Sequence, residues 1–166
     1  MPRDAISAVG RRPEWARALG ALLIGGWAVY VTVVVASNVT DLLVSFGWIQ
    51  TSFRSGNLAF IATATRIYFR SRPVDQILLA GVVIWEAGAA ALLWYGAIAW
   101  YRGGAMRTAA AEAGLIGLAL LWMAFAVATE VFVAYDRGVN ESAYWALVIA
   151  VLATVLTLVH LRREAG

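Results

Sequence analysis

Crossing a hydrocarbon core of about 30 Å takes roughly 20 mostly apolar helical residues, and four stretches of this chain meet that length: Ala18–Ser37, Ile77–Trp100, Ala113–Ala134 and Ala143–Leu161. Transmembrane barrel strands need only about 10 residues of alternating polarity, and that alternation is missing here. Within lipid every backbone N–H and C=O must find a partner inside the protein, which a helix supplies from its own segment. The spacing therefore predicts an all-α fold, an integral membrane four-helix bundle. Charged residues make up only 14% of the chain and apolar ones 62%, against roughly a quarter charged in soluble domains. No separate soluble domain fits.

Arg3, Arg11, Arg12 and Arg17 precede the first span, as in a secretory signal. The apolar run is longer than the 7–15 residues or so of a signal h-region, and Val35-Ala36-Ser37 makes a poor cleavage site. A retained helix is expected.

All thirteen basic residues are Arg. The N-tail set, with Arg102, Arg107, Arg162 and Arg163, flanks one side of the spans; Arg54, Arg66, Arg70, Arg72 and Arg137 lie on the other. The positive-inside bias then places both termini in the cytoplasm, and a bacterial inner membrane is the expected location. Because the basic residues are divided among flanks and form no single stripe, the pI near 9.7 gives no reason to expect nucleic acid. Without cysteine there are neither disulfides nor thiolate metal sites.

Residues 1–17 read as an Arg-rich cytoplasmic tail, 18–161 as the membrane domain and 162–166 as a short cytoplasmic tail. Between spans one and two, residues 38–76 form a long external segment, which is expected to be partly helical because structureless connections of that size are uncommon. Leu42–Phe53 is apolar enough to extend span one or lie at the interface. Asn57–Phe69 places Leu58, Ile61, Thr65 and Tyr68 at helical spacing, as an interfacial amphipathic helix does. Trp48, Trp100 and Trp145 near span ends suit an aromatic belt. Along span three, Ala113, Gly117, Ala124 and Ala128 suggest a stripe for close helix packing, against a neighbour inside the bundle or in another protein.

Glu86 stands out chemically. It lies about 15 Å along span two at 1.5 Å per residue, where an ionisable group costs at least about 2.5 kcal/mol and normally faces a bundle interior. Its stripe runs through Leu79, Val83, Ala90, Leu93 and Ala97. Burial disfavours the charged form, so a neutral, hydrogen-bonded acid is expected unless an Arg reaches it. Glu130 sits about 7 Å inside the outer end of span three, with Arg66, Arg70 and Arg72 as candidate ion-pair partners. Asn38, Thr40 and Asp41 cluster where span one is expected to end; Asn38 and Asp41, three apart, can share a helix face or cap the helix. Asn38, Asp41, Glu130 and Glu86 then form an intramembrane polar site, with the carboxylates arranged as a stepwise path. Glu86 is too far from Glu130 to share a metal ion, and no metal or cofactor is expected. His160 reads as a flanking residue. No nucleophile–base pair or phosphate-binding glycine loop is visible, so catalysis is not expected.

The Asn38-x-Thr40-Asp41 motif, the later Asn57, Trp85-Glu86 and Glu130 together resemble a family of bacterial four-helix predicted small integral membrane proteins, a domain of unknown function. The likeness covers roughly residues 18–160. It implies the four-helix fold and draws attention to Asn38, Asp41, Glu86 and Glu130, but brings no activity. The expectation is a non-catalytic membrane protein, an accessory or scaffold subunit held by a membrane protein partner or by a second copy. The alternative is a small transporter, channel or proton-linked sensor that uses the intramembrane carboxylates.

Overall fold

The computed structural model describes residues 14–102, 108–132 and 141–163. The Arg-rich tail at 1–13, the Gly103-Gly104 turn with Arg107, the turn with Asp136 and Arg137, and residues 164–166 lie outside the described residues. Five helices are described: α1 Glu14–Ser45, α2 Asn57–Thr65, α3 Arg72–Tyr101, α4 Thr108–Val131 and α5 Glu141–Arg163. All but α2 are long and apolar enough to cross a membrane. α1 and α3, at 32 and 30 residues, extend about 45–48 Å and outrun the hydrocarbon thickness at their ends.

Neighbouring helices run antiparallel. α3 packs on α1 and α4, α4 packs on α5, and α1 meets α5 more sparsely. Trp100 Nε1 at the end of α3 donates to the Ala16 carbonyl at the start of α1 (3.4 Å). Arg162 near the end of α5 pairs with Glu112 near the start of α4. These contacts define one end of the bundle, called here the terminal end. The other end carries the α1–α3 connection.

Of the two readings of Leu42–Phe53, extension of the first helix holds for its start: α1 continues past Ser37 to Ser45. What ends it is Gly47, at φ 75°: Trp48 N–H donates to the Leu43 carbonyl and Gly47 N–H to the Val44 carbonyl, both at 3.0 Å. This is a Schellman closure, which glycine enters without a steric penalty. The Asn38–Asp41 cluster therefore lies inside α1 and does not terminate it. Trp100, expected in an aromatic belt, is fully buried. It lies against Gly20, where a Cβ would come within 2.1 Å of the indole.

The face that α4 packs inside the bundle differs from the small-residue stripe. Ala111, Leu115, Leu118, Ala119, Trp122 and Ala126 are buried, whereas Ala113 and Ala124 are exposed. Gly117 keeps a contact, since its carbonyl accepts the Trp85 indole N–H at 2.9 Å; Ala128 borders a cavity. The close approaches that set α4 against α3 are Ala111 on Gly96 and Gly114 on Leu93. They lie on a different face because α4 must serve α3 and α5 together.

Candidate functional site

Glu86 is the fifteenth residue of the 30-residue α3, at its centre. Its buried face also carries Leu79, Ala90, Leu93 and Ala97, which is the helical periodicity of a core stripe. The side chain is only 4% exposed. Asn38 of α1, fully buried, donates its amide N–H to Glu86 Oε2 at 2.8 Å. The Asn38 carbonyl oxygen in turn accepts the Asn57 amide at 2.8 Å. Three side chains from α1, α2 and α3 thus form a directed chain, Asn57 to Asn38 to Glu86, with the orientation of the Asn38 amide fixed by a bond at each end.

Asp41, one turn beyond Asn38 on the same face of α1, is 4% exposed. Its Oδ2 accepts the Leu58 backbone N–H at 2.9 Å and the Ser55 hydroxyl at 3.2 Å. A carboxylate so placed satisfies an orphan donor in the first turn of α2 and complements the helix dipole. Thr40 Oγ1 donates to the Phe53 carbonyl at 2.6 Å, and Ser55 N–H to the Ser37 carbonyl at 3.2 Å. The connection thus leaves α1 at Ser45, turns back to the level of Ser37–Asp41, and returns along α2. At the far end of α2, buried Thr65 donates to buried Asp75 Oδ1 at 2.9 Å.

The expected polar site is brought together only in part. Asn38 and Glu86 touch; Asp41 is turned to α2. Glu130 is exposed, and the neighbouring Thr129, not Glu130, faces inward. The ion pair expected between Glu130 and Arg66 or Arg70 is not formed among the described residues. Both arginines are exposed, because α2 presents Ala64 and Thr65 to the bundle and leaves the following turn outside. Arg72 instead donates to the Ser45 carbonyl. Among the described residues no hydrogen bond leads from Glu130 to Glu86. Among the described residues no three of His, Asp or Glu gather closely enough to hold a metal ion.

Beside Glu86 lies a cavity of about 350 Å³, walled by all five helices. Apolar and aromatic side chains dominate it, among them Phe60, Leu79, Trp122, Phe125 and Phe132. The polar groups on its wall are Glu86, Asn57, Thr65, Thr129 and the phenols Tyr30 and Tyr144. Tyr30 of α1 shares this wall with Glu86. Glu86 Oε2 is engaged by Asn38, whereas Oε1 accepts no hydrogen bond from the described residues. A carboxyl group has about four lone-pair sites, so capacity is left over on the cavity side.

Tyr30, Tyr144 and Asp75 were not legible as site residues. Both tyrosines sit in apolar runs where a packing role is the ordinary one, and Asp75 follows Pro73 in a helix first turn, an ordinary place for an acid. Asn57 carried a readable signal, a polar side chain next to a Gly ahead of an apolar helical pattern.

Fold and site together define an α-helical membrane protein whose bundle holds a buried acid beside an aromatic-lined cavity. The chain belongs to the family described as predicted small integral membrane protein (DUF2165), which it matches over residues 16–162. That description carries no catalytic activity. No curated protein and no solved structure matches the chain significantly.

Proposed function

We propose that the protein is a non-catalytic binding protein for a small lipid-soluble molecule, taken up from the bilayer into the cavity beside Glu86. One observation carries this reading: a buried carboxyl keeps an unengaged oxygen on the wall of a largely apolar cavity of about 350 Å³. Pockets with apolar linings and a few convergent polar groups are the usual form of small-molecule sites. The apolar part of a ligand would lie against Phe60, Phe125 and Trp122, and a hydrogen-bonding group would face Glu86 and Asn57.

Binding is favoured over conduction by what lies beyond Glu86. Toward the terminal end the buried face of α3 is Ala89, Ala90, Leu93, Ala97 and Trp100, so α3 adds no polar side chain to a path there, and the buried Thr154 of α5 is already engaged by the Trp27 indole N–H. A sensor or receptor suits that arrangement better than a channel.

Native mass spectrometry of the protein released from mild detergent tests this directly. Wild type should carry a small organic adduct, which Ala128→Trp, filling the cavity, removes and Glu86→Leu weakens. An adduct equally retained by both variants, or absent from wild type prepared straight from membranes, contradicts the reading.

A second reading, an accessory or scaffold subunit, is favoured by a shallow groove on the outside of α3 and α4, lined by Trp85, Gly88, Leu92, Ala113 and Gly117. Small residues let a neighbouring helix approach closely. Native co-purification checks it, and a protein that runs alone as a monomer speaks against it. Both readings place the chain in a bacterial inner membrane, with its termini in the cytoplasm by the arginine bias.

A further inference from the structure

We propose that the α1–α3 connection is a binding collar for anionic phospholipid headgroups, independent of the Glu86 cavity. From residue 42 to residue 72 the sequence contains Arg54, Arg66, Arg70 and Arg72 and neither Asp nor Glu. The two carboxylates that bracket this stretch, Asp41 and Asp75, are both buried and are used up in holding the two ends of α2. They are not available to neutralise the arginines.

All four arginines are exposed. Arg72 gives one N–H to the Ser45 carbonyl; among the described residues no side-chain bond engages Arg54, Arg66 or Arg70. Arg66, Arg70 and Arg72 are confined to one short return between α2 and α3, pinned by the Thr65–Asp75 bond at 2.9 Å. Arg54 lies on the other limb, tied down by the Thr40–Phe53 bond at 2.6 Å. The cations are therefore held at the rim of the bundle by an ordered backbone.

Aromatic side chains alternate with them. Trp48 and Tyr68 are 72% and 62% exposed, and Phe53 and Phe69 are also exposed. Exposed aromatics at this level match the headgroup boundary of a bilayer, where amphipathic rings settle. A guanidinium meets a phosphate through two parallel N–H donors. Four arginines in a stretch with no acid of its own, beside membrane-seeking rings, fit a phosphodiester headgroup with net negative charge, and fit a zwitterionic one poorly.

The full-length protein, delipidated in mild detergent, is titrated with phosphatidylglycerol or phosphatidylcholine and followed by native mass spectrometry. Phosphatidylglycerol should bind more tightly, and Arg66→Gln with Arg70→Gln should weaken its first binding step by about fivefold per arginine at low ionic strength. Phosphatidylcholine binding should stay unchanged, and Arg66→Lys with Arg70→Lys should keep most of the preference. Raising salt from about 0.05 to about 0.5 M should erode it in wild type through screening. That salt series also decides the matter if the glutamine variant folds poorly. An unchanged preference in the glutamine variant, insensitivity to salt in wild type, or loss only on Arg17→Gln with Arg102→Gln at the terminal end overturns the collar. Filling the cavity with Ala128→Trp should leave headgroup binding intact, so the collar and the cavity reading fail separately.

Discussion

The two ends of this bundle are built on opposite terms. Toward the terminal end the helices touch at glycine: a Cβ on Gly20 would come within 2.1 Å of Trp100, and one on Gly96 within 2.6 Å of the Ala111 methyl. The cluster buried there, Ile24, Leu93, Ala97, Trp100 and Leu158 among others, is apolar, with Thr154 as its single buried polar neighbour among the described residues. Toward the connection the buried polar set grows to Asn38, Asp41, Thr65, Asp75, Glu86 and Thr129, and a cavity opens among them. Apolar side chains give lipid-embedded helices little reason to prefer one another over acyl chains, so close backbone approach does the holding. At the connection end hydrogen bonds take over and a cavity remains. Rigid packing at one end permits an open, polar interior at the other.

That contrast can be broken most sharply at Gly96. Gly96→Ala should destabilise by about 3 kcal/mol, the upper end for overpacking, because the new methyl meets the Ala111 backbone as well as its side chain. Gly81→Ala, with nothing within 4 Å of its Cβ, should be neutral or gain up to about 1 kcal/mol. Thermal unfolding in mild detergent compares the two, and equal effects would erase the distinction between the ends.

The next effect belongs to the polar end. Asn38→Leu leaves both the Asn57 amide and the Glu86 carboxyl without their partner, and about 2 kcal/mol of stability should go with them. A double-mutant cycle of Asn38→Leu with Glu86→Leu should recover part of this loss; strict additivity would show that the two side chains do not act as a unit.

Asp41→Ala should cost about 1 kcal/mol, as removal of a helix cap does. Hydrogen exchange should localise the change to α2, with the amides of α3 and α4 at the terminal end unaltered. Smallest is Thr154→Val, which removes the acceptor of the Trp27 indole N–H (3.0 Å). About 0.6 kcal/mol is expected, the average for such bonds between membrane helices.

Much of this was open to reading in the residues, and what was not has physical reasons. Four apolar runs fix four helices because a bilayer admits little else, and Glu86 announces itself as the sole charge in the middle of its run. Its partner Asn38 was visible as a polar residue, but not its bond, since polarity in one helix does not specify which residue of another lies opposite. The continuation of α1 to Ser45 was one of two readings of the apolar Leu42–Phe53 stretch, but the polar Asn38–Asp41 cluster looked like an ending. Only the position of α2 shows that these groups face protein. The burial of Trp100 depends on a glycine eighty positions earlier, a contact that no local pattern announces.

α2 is anchored entirely by its neighbours. It has nine residues, fewer than an isolated helix needs to persist in water; its first turn is capped from α1 and its last turn held from α3. During synthesis it therefore cannot take shape until α3 has emerged and entered the membrane beside α1. The wall it gives the cavity is the last piece of that half to form, and a nascent chain halted before Asp75 has no such cavity at all.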